Sequence, residues 1–156
     1  MSEINWTPIL ASKVEKWDRR FLELAETVSS WSKDPSTQVG AVVVRPDRTI
    51  ASVGYNGFPM GMTDIPGEYD NRDIKYDFIV HAEMNAILFA REPLEGYTLY
   101  TTPFMPCIRC AVQVAQAKIS RIVSYHSDNP RWVESFEKTK VALSRTGIEL
   151  TLYDKS

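Results

Sequence analysis

From residue 81 onward, the sequence alternates helix-like segments with short apolar strands. Segments rich in branched and aromatic residues lie at 97–102, 121–125 and 148–153, and amphipathic segments at 106–117 and 132–145 separate them. A further helix-like segment, 81–91, comes before the first of these strands. Alternation of this kind is typical of a sheet covered by helices on both faces. The sequence therefore predicts an α/β fold.

The first half of the chain adds a helix and a hairpin. Between residues 14 and 31, apolar side chains recur at spacings of three and four, which predicts an amphipathic helix: Trp17, Phe21, Leu24, Val28 and Trp31. The strand-like runs 39–44 and 49–56 flank Arg45-Pro46-Asp47-Arg48, a natural hairpin turn. The first 13 or so residues are expected to be an arm at most.

Residues 58–77 change in character towards glycine, proline and charge, without any periodicity. A structureless stretch of this length inside a compact domain is usually functional or disordered. We predict an active-site loop that orders over a ligand, with Gly57, Gly61 and Gly67 as hinges.

Size and charge limit the classes of protein to consider. With 156 residues, of which 44% are hydrophobic, the chain can bury one sizeable core, so a single domain over 1–156 is expected. The net charge of −2 provides no broad basic field for a nucleic-acid polymer. No stretch approaches the ~18 apolar residues of a membrane span, and residues 1–17 lack the apolar core of a signal peptide. A cytoplasmic protein without membrane contact is expected.

The most informative residues are few, because the chain has only two cysteines and two histidines. Cys107 and Cys110 stand two residues apart after Pro106, and His81 is followed two residues later by Glu83. One imidazole and two thiolates are good zinc ligands, and a set of three leaves the fourth position open for water, as in catalytic sites. Pro106 suits the first turn of a helix, whose positive N-terminus stabilises thiolates. Glu83 beside such a metal can carry protons.

Other interpretations of the same residues exist. Cys-x-x-Cys also occurs in redox pairs and in halves of structural zinc knuckles. His81 and Glu83 count against the first, and the lack of further cysteines counts against the second. His126 has no matching spacing and is interpreted as a surface or hydrogen-bonded histidine. The apolar residues that follow the two motifs are predicted to lie in the core: Ile87, Leu88, Val112 and Val114.

At this point a family resemblance becomes evident. His81-Ala82-Glu83 with Pro106-Cys107-x-x-Cys110 is similar to the H-x-E…P-C-x-x-C signature of the zinc cytidine and deoxycytidylate deaminases. Residues 32–41, 54–59 and 75–76 resemble deoxycytidylate (dCMP) deaminases in particular, and the resemblance spans about residues 14–153. It implies a three-layer αβα sandwich with a mixed five-stranded sheet, assembled as a homo-hexamer.

The resemblance also implies a chemistry. His81, Cys107 and Cys110 would hold one Zn²⁺ per subunit, and Glu83 would be the proton shuttle. Asn56 would hydrogen-bond the sugar hydroxyl, and the backbone amide of Ala82 would help to hold the base. The implied reaction is hydrolysis of dCMP to dUMP and ammonia by a zinc-activated water, which would supply dUMP for thymidylate synthesis.

Two further points follow from the resemblance. A 5′-phosphate needs cationic or hydroxyl partners, for which the candidates are Lys33, Ser36, Lys75, Tyr76 and Tyr125. Many relatives respond to dCTP and dTTP, with Mg²⁺, at a site involving the loop that here contains Asn56 and Gly57 and a neighbouring subunit. Alternatives that stay open are deamination of cytidine, guanine or adenosine in tRNA, and a non-catalytic zinc module.

Overall fold

The protein is described by a computed structural model that covers residues 3–155. Its five strands form one mixed sheet in the order β2-β1-β3-β4-β5. The strands are β1 (Gly40–Val44), β2 (Ile50–Tyr55), β3 (Thr98–Thr102), β4 (Arg121–Tyr125) and β5 (Glu149–Tyr153). Strand β1 runs antiparallel to both β2 and β3, whereas β3, β4 and β5 are parallel to one another. The predicted α/β fold with a mixed five-stranded sheet is confirmed.

Residues 3–155 form five α-helices, and all but the second pack on the sheet. They are α1 (Thr7–Ser29), α2 (Arg72–Phe78), α3 (Ala82–Phe89), α4 (Ile108–Gln116) and α5 (Val133–Thr146). A short 3₁₀ turn, Glu68–Asp70, lies before α2. Among the described residues, no helix combines the length and the apolar character needed to cross a membrane.

The two faces of the sheet bury different residues because side chains alternate along a strand. Ala41 and Val43 of β1 pack with α3, α4 and α5, whereas Val42 and Val44 pack against α1. Leu99 and Tyr100 of β3 divide in the same way. The result is a three-layer αβα arrangement with α1 alone on one face.

Two sequence-based predictions about local structure were wrong. The first helix begins at Thr7 rather than near residue 14, because Pro8 fits a helical first turn and no breaker follows it. Residues 7–13 are thus helical, not a separate arm, although every residue from 3 to 16 is exposed. The helix ends at Ser29, and Trp31 stands exposed beyond it.

The segment 58–77 is also not a single structureless loop. It contains the 3₁₀ turn and most of α2, whose N-cap Asn71 accepts a hydrogen bond from the Ile74 amide at 3.2 Å. This capping contact stabilises a helix that the apolar pattern does not reveal. Helix α2 carries Lys75 and Tyr76, which become important at the site described below.

Two glycines allow the helices to approach the sheet closely. A Cβ atom on Gly40 of β1 would lie 2.0 Å from the Ala25 carbonyl oxygen of α1. A Cβ atom on Gly54 of β2 would lie 2.4 Å from the Ala86 amide of α3. Any larger residue at Gly54 would therefore push α3 away from the sheet, and α3 carries part of the candidate site.

Candidate active site

Three potential metal ligands meet where α3 and α4 begin. His81 is the N-cap of α3 and Cys107 the N-cap of α4, and neither side chain caps its own helix. His81 Nδ1 lies 3.1 Å from Cys110 Sγ and 3.5 Å from Cys107 Sγ. Tetrahedral zinc with bonds of about 2.0–2.3 Å holds its ligand atoms about 3.5 Å apart. The donor set and its spacing therefore fit one zinc ion.

Helix α5 fixes the loop that presents Cys107. Thr139 Oγ1, fully buried, donates to the carbonyl oxygen of Pro106 at 2.9 Å. Ser135 Oγ accepts from the amide of Ile108, the first residue of α4, at 3.1 Å. These bonds satisfy the start of α4 and leave the Cys107 side chain free to face His81.

The protonation of the cysteine pair suits metal binding. The hydrogen bond with Cys110 lowers the pKa of Cys107 to about 4, and the contact with His81 acts in the same direction. The hydrogen bond with Cys107, together with burial, raises the pKa of Cys110. One thiolate is therefore available at neutral pH, and a bound cation would favour loss of the second proton.

Glu83 lies beside the ligands without being one of them. It is the second residue of α3 and is only 4% exposed. Burial raises the pKa of its carboxyl group, with the charge of His81 opposing. A carboxyl group with a raised pKa beside a metal site can both accept and deliver a proton near neutral pH.

A cavity opens onto these residues and has an aromatic wall. Phe104, Trp132 and Phe136 line it together with His81, Glu83 and Cys107. The Phe104 ring centroid lies 5.6 Å from that of Trp132 and 5.5 Å from that of Phe136. The rings are tilted by 35° and 47° to one another, and an aromatic wall of this kind suits a planar heterocycle. The motif search missed Trp132, because a single tryptophan before a helix gives no distinctive spacing.

The mouth of the same cavity is cationic. Lys75, Tyr76 and Arg131 line both the cavity and an adjoining hollow that also contains Ser36 and Arg72. Lys75 Nζ donates to Ser36 Oγ at 2.6 Å, and Arg72 Nε donates to Tyr76 Oη at 3.3 Å. Hydrogen bonds from Arg72 and Arg131 lower the pKa of Tyr76. Neither arginine was predicted from the sequence, since nothing local distinguishes them from solvated surface residues.

The other predicted site residues lie in three places. Asn56 and Ala82 line the cavity, and Ala82, as the first residue of α3, has an amide that no intrahelical carbonyl can take. Lys33 and Gly57 instead line a neighbouring cavity, where Lys33 forms an ion pair with Asp64. Tyr125 packs with α1 on the opposite face of the sheet, so the structure does not bring it to this cavity.

Two predictions outside the cavity can also be compared with the structure. His126 is exposed, as expected of a surface histidine. Leu88 and Val112 were predicted to lie in the core, but they are 67% and 50% exposed. Each helix buries its small residues, Ala86 and Ala111, against the sheet, which turns these larger side chains outward.

Fold and site together define a class: an α/β protein with three side chains at two helix N-termini that could hold one metal ion. Within residues 3–155, His81, Cys107 and Cys110 are the one group of three such side chains close enough to hold a metal ion. A model of the cytidine and deoxycytidylate deaminase zinc-binding region matches residues 15–126. The chain belongs to this family.

Comparisons with individual proteins agree. The chain is 45% identical over 141 residues to an uncharacterized deaminase in the luxG 3′ region of Aliivibrio fischeri, which covers 88% of this chain and 94% of that protein. It is 35% identical over 124 residues to the deoxycytidylate deaminase of Homo sapiens, with coverage of 73% and 69%. The dCMP deaminase of cyanophage S-TIM5, solved in complex with dCMP and dUMP, superposes with a TM-score of 0.71 at 25% identity, covering 88% of this chain and 97% of that one.

Proposed function

We propose that this protein deaminates dCMP to dUMP and ammonia. The observation that carries the proposal is the arrangement of one cavity. One part of it is lined by His81, Cys107 and the buried Glu83, beside Cys110, its wall is partly aromatic, and another part is lined by Lys75 and Arg131. A nucleotide has a polar reacting base at one end and a phosphate at the other, so this polarity matches a nucleotide better than a nucleoside. The names of the curated human relative and of the cyanophage structure support the same substrate.

Zinc, when bound by His81, Cys107 and Cys110, supplies a Lewis acid that lowers the pKa of water. Glu83 is the residue that moves protons. Its carboxylate takes one proton from the attacking water and passes it to N3 of cytosine. It then takes the second proton, from the hydroxyl group now on C4, and delivers it to the amine, so that the C4–N bond breaks as the C4 carbonyl forms and ammonia leaves. Burial raises the pKa of Glu83, which favours the protonated form that delivers the proton.

The remaining cavity residues bind and orient the nucleotide. The Ala82 amide is available to the base, and Asn56 is assigned to the sugar hydroxyl. Ser36, Lys75 and Arg131 are assigned to the 5′-phosphate, because a doubly charged phosphate is best held by charge-assisted hydrogen bonds. The deep Glu83 carboxylate and the outer cations thus act on opposite ends of one ligand.

The test is a steady-state assay of ammonia release by zinc-replete protein, with dCMP and deoxycytidine compared at equal concentrations. We expect kcat/KM for dCMP to be at least about 100-fold higher, since losing the phosphate removes several charge-assisted bonds. Arg131→Met should reduce this preference, whereas Lys138→Met on the exposed side of α5 should not. Equal rates on the two substrates would indicate a nucleoside deaminase. Zinc-loaded protein inactive on both, and on guanine and tRNA, would indicate a non-catalytic zinc module.

Assembly, location and regulation belong to the same proposal. Leu88, Phe89 and Val112 expose apolar surface on α3 and α4, which supports self-association and hence the predicted hexamer. Light scattering after size exclusion tests that number directly. Regulation by dCTP, dTTP and Mg²⁺ stays a prediction for the cavity that contains Asn56 and Gly57, as does a cytoplasmic location.

A further inference from the structure

We propose that Asp34 is a positioning residue that holds the sugar-binding and phosphate-binding side chains in one fixed arrangement. This inference rests on the proposed function, because it concerns how the same cavity tells a nucleotide from a nucleoside. Asp34 lies in the segment between α1 and β1, lines the cavity and is only 3% exposed. It falls within residues 32–41, a segment that resembles dCMP deaminases, but it was assigned no role from the sequence.

Both oxygens of this carboxylate accept hydrogen bonds from residues in or beside the cavity. Oδ1 accepts from the Ser36 amide, from Ser36 Oγ and from Lys75 Nζ, each at 2.9 Å. Oδ2 accepts from Lys75 Nζ at 2.7 Å and from Asn56 Nδ2 at 3.3 Å. Although burial opposes it, hydrogen bonds from Lys75 and Ser36 lower the pKa of Asp34, so the carboxylate stays charged at neutral pH.

The residues that Asp34 contacts come from three separate parts of the chain. Lys75 belongs to α2, a helix of seven residues with no buried residue of its own. A helix this short is not stable alone, so its orientation depends on contacts such as this ion pair. Asn56 follows β2. Its side-chain Nδ2 also donates to the Thr37 carbonyl oxygen at 2.9 Å, and its side-chain Oδ1 accepts from the Val39 backbone amide at 2.8 Å. Asp34 thus joins the assigned sugar contact to the assigned phosphate contact.

A positioning role of Asp34 and a purely electrostatic effect of its charge predict opposite changes in dCMP binding when Asp34 is replaced by a neutral residue. A negative charge beside a phosphate-binding lysine repels phosphate, so removing it should strengthen dCMP binding if charge were its only effect. If Asp34 instead orients Lys75 and Asn56, removing it should weaken dCMP binding. Asparagine is the right replacement, since its oxygen can still accept from Ser36 while its amide group faces the donors of Lys75 and Asn56.

The experiment measures kcat and KM for dCMP and for deoxycytidine in Asp34→Asn, Lys75→Met and the double variant. In each single variant we expect the preference for dCMP to fall by about ten- to a hundredfold, mainly through a higher KM. In the double variant the loss should not exceed the larger single loss, because Asp34 acts on the phosphate through Lys75. Asp18→Asn is the matched control: Asp18 is 1% exposed and also ion-paired, but it lies on the α1 side of the sheet, and its loss should leave the preference unchanged.

The outcomes separate the two proposals. A wild-type protein with no preference for dCMP overturns the proposed function. A wild-type preference that Asp34→Asn leaves intact, or strengthens, overturns the role of Asp34, as does an additive double variant. If Asp34→Asn does not fold, as judged by zinc content and thermal unfolding, Ser36→Ala takes its place. Ser36 is itself assigned to the phosphate, so this variant is interpreted only by comparison with Asp34→Glu, which keeps the charge but moves the carboxylate oxygens away from Lys75 and Asn56. We expect Asp34→Glu to lower the preference by about fivefold or more, and an unchanged preference would overturn the role of Asp34.

Discussion

Replacing Asp18 with asparagine is expected to destabilise the protein by about 3 kcal/mol while leaving its active site intact. Asp18 lies in α1 and accepts four hydrogen bonds: from Tyr100 Oη at 2.8 Å, from Arg121 Nη1 at 2.8 Å and Nη2 at 2.6 Å, and from Tyr153 Oη at 2.7 Å. These partners belong to β3, β4 and β5. A single carboxylate therefore fastens α1 to three neighbouring strands.

The magnitude follows from what the substitution leaves behind. Removing one partner of a buried ion pair costs about 3–5 kcal/mol, because the remaining charge is uncompensated. The Arg121 side chain is 17% exposed and keeps contacts with Thr151 Oγ1 at 3.2 Å and Glu149 Oε1 at 3.6 Å. These contacts place the cost at the lower end of the range. For a chain of this size, about 3 kcal/mol lowers Tm by about 6–12 °C.

Urea unfolding followed by circular dichroism, with the zinc content held constant, measures the difference in unfolding free energy. The double variant Asp18→Asn/Arg121→Met should lose less than Asp18→Asn alone, because it leaves no unpaired charge. A loss below about 1 kcal/mol in Asp18→Asn, or a double variant less stable than the single one, would refute this reasoning.

Three further predictions concern the site and its support. Glu83→Gln should lower kcat by at least about 10³-fold while zinc content and Tm stay unchanged, and turnover that persists would exclude Glu83 as the proton carrier. Gly54→Ala should weaken zinc binding in a chelator competition, since the new Cβ would lie 2.4 Å from the Ala86 amide and 2.5 Å from the Ala82 carbonyl oxygen and would displace α3; wild-type affinity would contradict this. Burial and the hydrogen bond to Asp18 raise the pKa of Tyr153 to about 12, so the neutral phenol contributes stability that is complete below its unfolded pKa of about 10 and is lost as the pH rises towards 12. The urea midpoint should therefore decrease less between pH 8 and pH 12 in Asp18→Asn than in the wild type. An equal decrease in both proteins would count against a contribution of the Tyr153–Asp18 hydrogen bond to this pH dependence.

The residues that carry the chemistry could be predicted from the sequence because their relations are local. His81 and Glu83, like Cys107 and Cys110, are separated by two or three positions, and each pair sits at the start of a helix whose first turn fixes how its members face. The chain offers so few cysteines and histidines that one metal site accounts for all but His126. The strands were predictable for the same reason, since apolar and branched residues mark them over five or six positions.

Other features depend on which segments meet, and local spacing does not contain that information. Asp34 and Arg131 line one cavity from distant segments, Arg72 lines the hollow that adjoins it, and none of the three was assigned a role from the sequence. Tyr125 and Leu88 show the converse case. A shift of one residue along a strand or a helix changes the face on which a side chain lies, and the sequence pattern did not define the face at these two positions. In the structure, Tyr125 packs with α1 and Leu88 is exposed.

The sequence by itself thus determined the fold class, and it predicted His81, Cys107 and Cys110 as metal ligands and Glu83 as the proton carrier, because these follow from composition, periodicity and short spacings. The tertiary structure decided the strand order, the aromatic wall and the cationic mouth of the cavity. The physical reason is close packing: Gly40 and Gly54 let α1 and α3 approach the sheet, and that approach determines which side chains from remote segments share one cavity.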